Sequence, residues 1–197
     1  MTLVLASRSQ ARRALLKGAG IEVALDAADL DEGALSARLL SEGGDARSVA
    51  QALAGEKAMA VSARRPGDWV IGSDQTLEHE GTLYGKAASL DEARARLTLW
   101  SGTGHRLHSG VALARDGRLV WTACETATLV MRPLSADFID GYLARNAEAA
   151  TASVGGYWLE AEGTQLFERI EGDYFTILGL PLLPLMGALR DQGLLAS

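Results

Sequence analysis

The chain has 197 residues, 48% hydrophobic and 22% charged, and 19 Lys+Arg against 25 Asp+Glu leave a formal net charge of −6. That length fits one or two domains, the hydrophobicity excludes intrinsic disorder, and the acidic balance excludes a general nucleic-acid binder, which shows a basic face. It does not exclude one small anion held by a local group of cations.

In chain order, residues 3–6 (LVLA) fit a short buried strand. A helix is expected over 11–18, capped by Ser9 and stopped at Gly18 or Gly20. A second strand follows at 21–25. This strand–loop–helix–strand opening indicates an α/β class. Residues 26–44 are acidic, with a weak helix at 35–40. A clear helix runs over 45–65, with Asp45 as cap and Pro66 just past its end. WVIGSD (69–74) reads as a strand ending in a carboxylate, and Glu80-Gly81 as a hairpin turn. Ser89 and Glu92 fit a capping box opening a helix to Trp100. Asp116-Gly117 is a hairpin signal between two long strands. A helix at 135–146, strands at 156–160 and 165–170, and a last helix at 181–192 complete a mixed sheet. No linker separates domains, so 1–197 is read as one domain.

The lone Cys124, in strand-like TACETATLVM, excludes an internal disulfide and sets a cytoplasmic expectation. It reads as a small buried hydrophobe. No targeting segment is visible. The most apolar stretch, ILGLPLLPLMGALR, is broken by Pro181 and Pro184 and falls short of the ~20 residues of a membrane span, so neither a membrane nor a nucleic-acid polymer is expected as a partner.

SRSQARR (7–13) lies between a strand and a helix. Free amides and the helix dipole, with hydroxyls and guanidiniums, make a phosphate site there. The segment reads equally as a capped helix with solvated arginines. Asp74, placed at a strand end, suits a metal or a base on water, or simply starts a turn. Glu32, Lys57 and Lys86 each read singly as solvated surface groups, and together with the arginines as the surround of a polyphosphate. His105 and His108, three apart in a loop or strand, do not face one site, and His79 adds no zinc pattern. Trp69, Trp100 and Trp121 read as core, and Trp158 as a neighbour of a ligand.

LASRSQARRALL, DLDE, GEKA, VIGSDQTL with LYGKA, LWSGTGHRLHSGVAL, and GGYWLEAEGTQLFERIEGDYFTILGLPLLPL occur in that order over nearly the whole chain. They resemble the blocks of the Maf family of nucleoside triphosphate pyrophosphatases. The resemblance implies a two-lobed α/β fold with an elongated mixed sheet and a central cleft. It implies a hydrolase that uses a divalent cation, Mg²⁺ or Mn²⁺, to split a nucleoside triphosphate into monophosphate and pyrophosphate. Asp74 is then the proton acceptor; Ser7, Arg12, Lys57 and Lys86 hold the triphosphate; Glu32 helps with substrate and, with Asp74, with the metal.

Three positions, here Ala11, Gln75 and Glu160, set base preference in the family. The branch acting on dTTP and UTP has Arg, Thr and Gln there; the branch acting on 7-methyl-GTP has Trp, Gln and Glu. This chain matches the second branch at Gln75 and Glu160 and departs at Ala11, which offers no ring to stack on a base. Gln10 stands where the family usually has Pro. Ala161 and Glu162 also depart, adding a negative charge beside the expected base pocket. The resemblance further implies a homodimer. The alternative to the enzyme reading, suggested by the family's older name, is a nucleotide-binding regulatory protein affecting septum formation without turnover.

Overall fold

A computed structural model describes residues 2–196. The elements are β1 (Leu3–Leu5), α1 (Gln10–Gly18), β2 (Ala24–Leu25), α2 (Glu32–Ser41), α3 (Ala46–Ala63), β3 (Trp69–His79), β4 (Thr82–Tyr84), α4 (Leu90–Trp100), β5 (Gly104–Arg115), β6 (Arg118–Met131), α5 (Ala136–Arg145), α6 (Ala147–Ala152), a 3-10 turn (Glu162–Leu166), β7 (Phe167–Glu171), α7 (Tyr174–Ile177) and α8 (Leu182–Asp191). The strands form one mixed sheet in the order β2-β1-β3-β5-β6-β7, with β4 also on β3. β1 is parallel to β2 and β3; the other pairs are antiparallel.

The long strands β3 and β5 run through two apolar cores. At one end Trp69, Ile71, Val111 and Leu113 pack with Leu5 and Leu16 and with Leu185 and Leu189 of α8. At the other end Leu77 and Leu107 pack with Leu97, Trp100, Leu129 and Tyr142. These cores are the two lobes, and the middle of β3 is the seam between them.

Two features of β3 shape that seam. β1 pairs with it only as far as Ile71, and β4 begins to pair only at Leu77. Residues 72–76 therefore have β5 on one side and, among the described residues, no strand on the other. On one face of the sheet α3 lies pressed against glycines. A Cβ on Gly72 would fall 2.1 Å from Ala54 O, and one on Gly110 2.3 Å from Ala50 O. Any side chain at either position would hold the helix off the strand.

Most expected elements form where the patterns place them. Ser9 caps α1, Asp45 and Ser48 make a reciprocal capping box on α3, and Glu80-Gly81 and Asp116-Gly117 turn with positive φ at both residues. Five expectations are corrected. β3 does not end at Asp74 but continues to His79, because β5 supplies partners along its whole length. Residues 156–160 are not a strand: two tight glycines and the ring of Tyr157 hold them in turns. The strand at 21–25 shrinks to Ala24–Leu25. Ser89 accepts from Glu92 N, but the Glu92 carboxylate takes the amide of Ala88, so the box is half made. Trp69 and Trp100 are core, while Trp121 is only half-buried at the margin. Cys124 is buried, and burial pushes its thiol up to about 11.

Candidate active site

At the open edge of β3 lies a cleft of about 810 Å³. Ser7, Ala11, Arg12, Glu32, Lys57, Asp74, Gln75, Lys86 and Glu160, scattered over the chain, all line it. Neighbouring strand residues point to opposite faces, yet Asp74 and Gln75 both reach the cleft because no strand closes that edge.

Asp74 is on the α3 face, two residues from Gly72, where the helix touches the strand. That contact brings Lys57 of α3 within 2.6 Å of Asp74 Oδ1. The same ammonium lies 2.8 Å from Glu32 Oε1, at the start of α2. Lys57 and Asp74 are both buried and Glu32 is exposed, so the cluster opens toward solvent through Glu32. Burial raises the Asp74 pKa; the charges of Lys57 and Arg12 act against it. The result is a carboxylate of raised basicity held by a hydrogen bond.

The loop from β1 into α1 also lines the cleft. Ser9 Oγ accepts from Arg12 N at 3.3 Å, and the first-turn amides of Gln10 and Ala11 have no protein acceptor among the described residues. Ser7 Oγ accepts from Ser9 N and from Arg12 Nη1. Arg12 also donates to Gly179 O at 2.8 Å and Ser73 O at 2.9 Å. Its guanidinium thus serves the unpaired strand edge and the C-terminal segment as well as the cleft. Burial lowers its pKa, against the opposing pull of Asp74 and Glu32. Lys86, just after β4, is exposed and makes no ion pair among the described residues.

Gln75 faces the other side of the sheet. Its Nε2 donates toward Ser109 Oγ (3.0 Å), Thr176 O (3.1 Å) and Ile177 O (3.0 Å). Two backbone carbonyls fix that end as the amide nitrogen and leave Oε1 as the free, accepting end. Ser109, fully buried, donates in turn to Thr176 O. Neither Ser109 nor the carbonyls of α7 stand out in the sequence, because their part is set by chain pairing and not by residue type.

Asp74 and Glu32 fit a divalent cation of the Mg²⁺ kind, which takes one or two carboxylates and completes its shell with phosphate oxygens and water. They do not form a closed protein cage: no group of three or more His, Cys, Asp or Glu suited to a metal occurs among the described residues. His105 and His108 sit on opposite faces of β5, one against Tyr157 and the other against Thr126 and Glu78.

The chain matches the family described as Maf-like protein over residues 2–192. It is similar to a protein of Caulobacter vibrioides named nucleoside triphosphate pyrophosphatase, 53% identical over 98% of this chain and 96% of the relative. It is similar also to proteins named 7-methyl-GTP pyrophosphatase from Brucella suis, 50% identical over 96% of each chain, and from Rhizobium etli, 49% identical over 97% of this chain and 96% of the relative.

Proposed function

The chain belongs to the Maf family, whose relatives place it among hydrolases of acid anhydrides, and on that premise we propose that it splits a nucleoside triphosphate, with 7-methyl-GTP the first candidate, into monophosphate and pyrophosphate. The observation that carries this reading is the buried Lys57–Asp74 pair, 2.6 Å apart, opening onto a cleft ringed by Arg12, Lys86 and the start of α1.

Asp74 takes a proton from water, and that water breaks the α–β phosphoanhydride. Its raised pKa favours the transfer. Lys57, Lys86 and Arg12 neutralise the charge that builds on the leaving pyrophosphate. Ser7 and the α1 amides orient the phosphate chain. A divalent cation on Asp74 and Glu32 would supply further charge neutralisation when bound. At the base end, the acceptor Oε1 of Gln75 and the carboxylate of Glu160 suit a guanine edge rich in N–H donors, and the negative charge of Glu160 favours a cationic methylated base. Residues 1–197 act as one catalytic unit in this reading, because the cleft takes residues from both lobes. The same family background leads us to expect a cytoplasmic homodimer.

The test is a nucleotide panel, 7-methyl-GTP, GTP, UTP and dTTP, with Mg²⁺ or Mn²⁺ and a pyrophosphate readout. We expect pyrophosphate release, fastest from 7-methyl-GTP, and a loss of about 10²–10⁴-fold in Asp74→Asn with the melting temperature kept. Release of single phosphate would point to a general phosphatase. Binding without turnover would favour a nucleotide-binding regulator.

A further inference from the structure

We propose that Trp158 is the aromatic face on which the nucleobase stacks. The inference rests on the reading of the cleft as a nucleotide site. Three aromatic residues line the cleft, Tyr84, Tyr157 and Trp158. Tyr84 is engaged: its ring meets Trp100 edge-on at 5.2 Å, and Arg96 covers it at 5.3 Å. Tyr157 is buried, edge-on to Phe167 at 4.8 Å, with its hydroxyl 2.6 Å from His105 Nε2. Trp158 alone is exposed, at 38%, and it has no aromatic or cationic partner on its ring among the described residues.

An unpartnered indole on the wall of a concave cleft leaves a large apolar face to water, which a flat ligand would cover. Ala11, on the phosphate wall, offers only a methyl group. The backbone under Trp158 is held firmly. Its carbonyl accepts from Ala161 N, and Gly163 approaches so closely that a Cβ there would lie 2.4 Å from that carbonyl. Gly155 likewise makes room for the Tyr157 ring. The indole is therefore carried on a segment anchored before and after it, which limits the ordering cost of stacking. Glu160, two residues on, adds a carboxylate at the same end of the cleft, so a cationic base gains from both.

The test compares wild type with Trp158→Ala and Trp158→Phe. KM is measured for 7-methyl-GTP, GTP and UTP, and inhibition is measured with inorganic tripolyphosphate, which has no base. We expect KM for 7-methyl-GTP to rise about tenfold or more in Trp158→Ala, with most of the affinity restored in Trp158→Phe and tripolyphosphate inhibition unmoved. An unchanged KM in Trp158→Ala would overturn the proposal. So would a parallel loss of tripolyphosphate inhibition, which marks a structural role. If wild type releases pyrophosphate from no nucleotide, the pyrophosphatase reading fails on its own. Fluorescence then decides about Trp158: 7-methyl-GMP must quench wild type and not Trp158→Phe, and equal quenching defeats the stacking role.

Discussion

Asp74 and His105 show how burial tunes single groups in opposite directions. Asp74 is pushed toward the neutral acid but held by Lys57 2.6 Å away, which suits a base that must take up a proton and let it go. His105, fully buried, is held neutral: desolvation and the neighbouring His79 lower its pKa from 6.5 to about 3. Between those two values the unfolded chain binds a proton that the folded chain refuses. The stability this group permits is complete above pH 6.5 and falls by about 1.4 kcal/mol per pH unit below it, down to the folded pKa. Urea melts between pH 7 and 4.5 should show a steeper loss in wild type than in His105→Gln. Equal slopes would mean that His105 protonates without opening the core. The consequence reaches the cleft, because His105 holds Tyr157, the residue before Trp158.

Helix α3 and strand β3 form the element pair on which the site depends. The strand carries Asp74 and the helix carries Lys57, and Gly72 sets the distance between them. Gly72→Ala would place a Cβ 2.1 Å from Ala54 O and 2.7 Å from Ala58 N, both backbone atoms that cannot turn aside. The helix must lift, so we expect a loss of about 3 kcal/mol or more in urea melts and a collapse of turnover as Lys57 leaves Asp74. Gly55→Ala, on the same helix, is the contrast. Its Cβ would meet nothing closer than Leu119 at 3.8 Å, and Ala favours a helix interior by about 1 kcal/mol over Gly, so stability should hold or rise. If both variants behave alike, the close approach is not what positions the helix.

Over the whole molecule, a net charge of −6 surrounds a cleft that gathers Arg8, Arg12, Lys57 and Lys86. On the proposed function, local cations of this number suit one triphosphate, and we expect the net negative charge to disfavour a polymer of phosphates. Hydrolysis should accordingly be inhibited by tripolyphosphate and not by a single-stranded oligonucleotide at equal phosphate concentration. Equal inhibition by the two would place a longer basic track on the surface. No helix among the described residues is long and apolar enough to cross a membrane.

The local code of this chain is legible in its residues. Caps at Ser9 and Asp45, the two hairpin turns and the long apolar-patterned strands are short-range effects, set by φ preference, side-chain capping and periodicity within a few residues. Resemblance in motif order also marks the residues that line the cleft. Other features depend on pairing between distant segments. Nothing around Asp74 tells that β3 runs on for five more residues, since the partner that extends it is β5. The open edge at 72–76 exists only because β1 stops and β4 starts where they do. The duty of Arg12 toward Ser73 O and Gly179 O, the polarity of Gln75 set by α7 and Ser109, and the exposure of Trp158 in the cleft follow from contacts up to 167 residues apart in sequence. Residue types supply the groups available to the chemistry. Which of them meet depends on packing, because burial and hydrogen-bond partnership are properties of neighbours brought together by the fold and not of residue type.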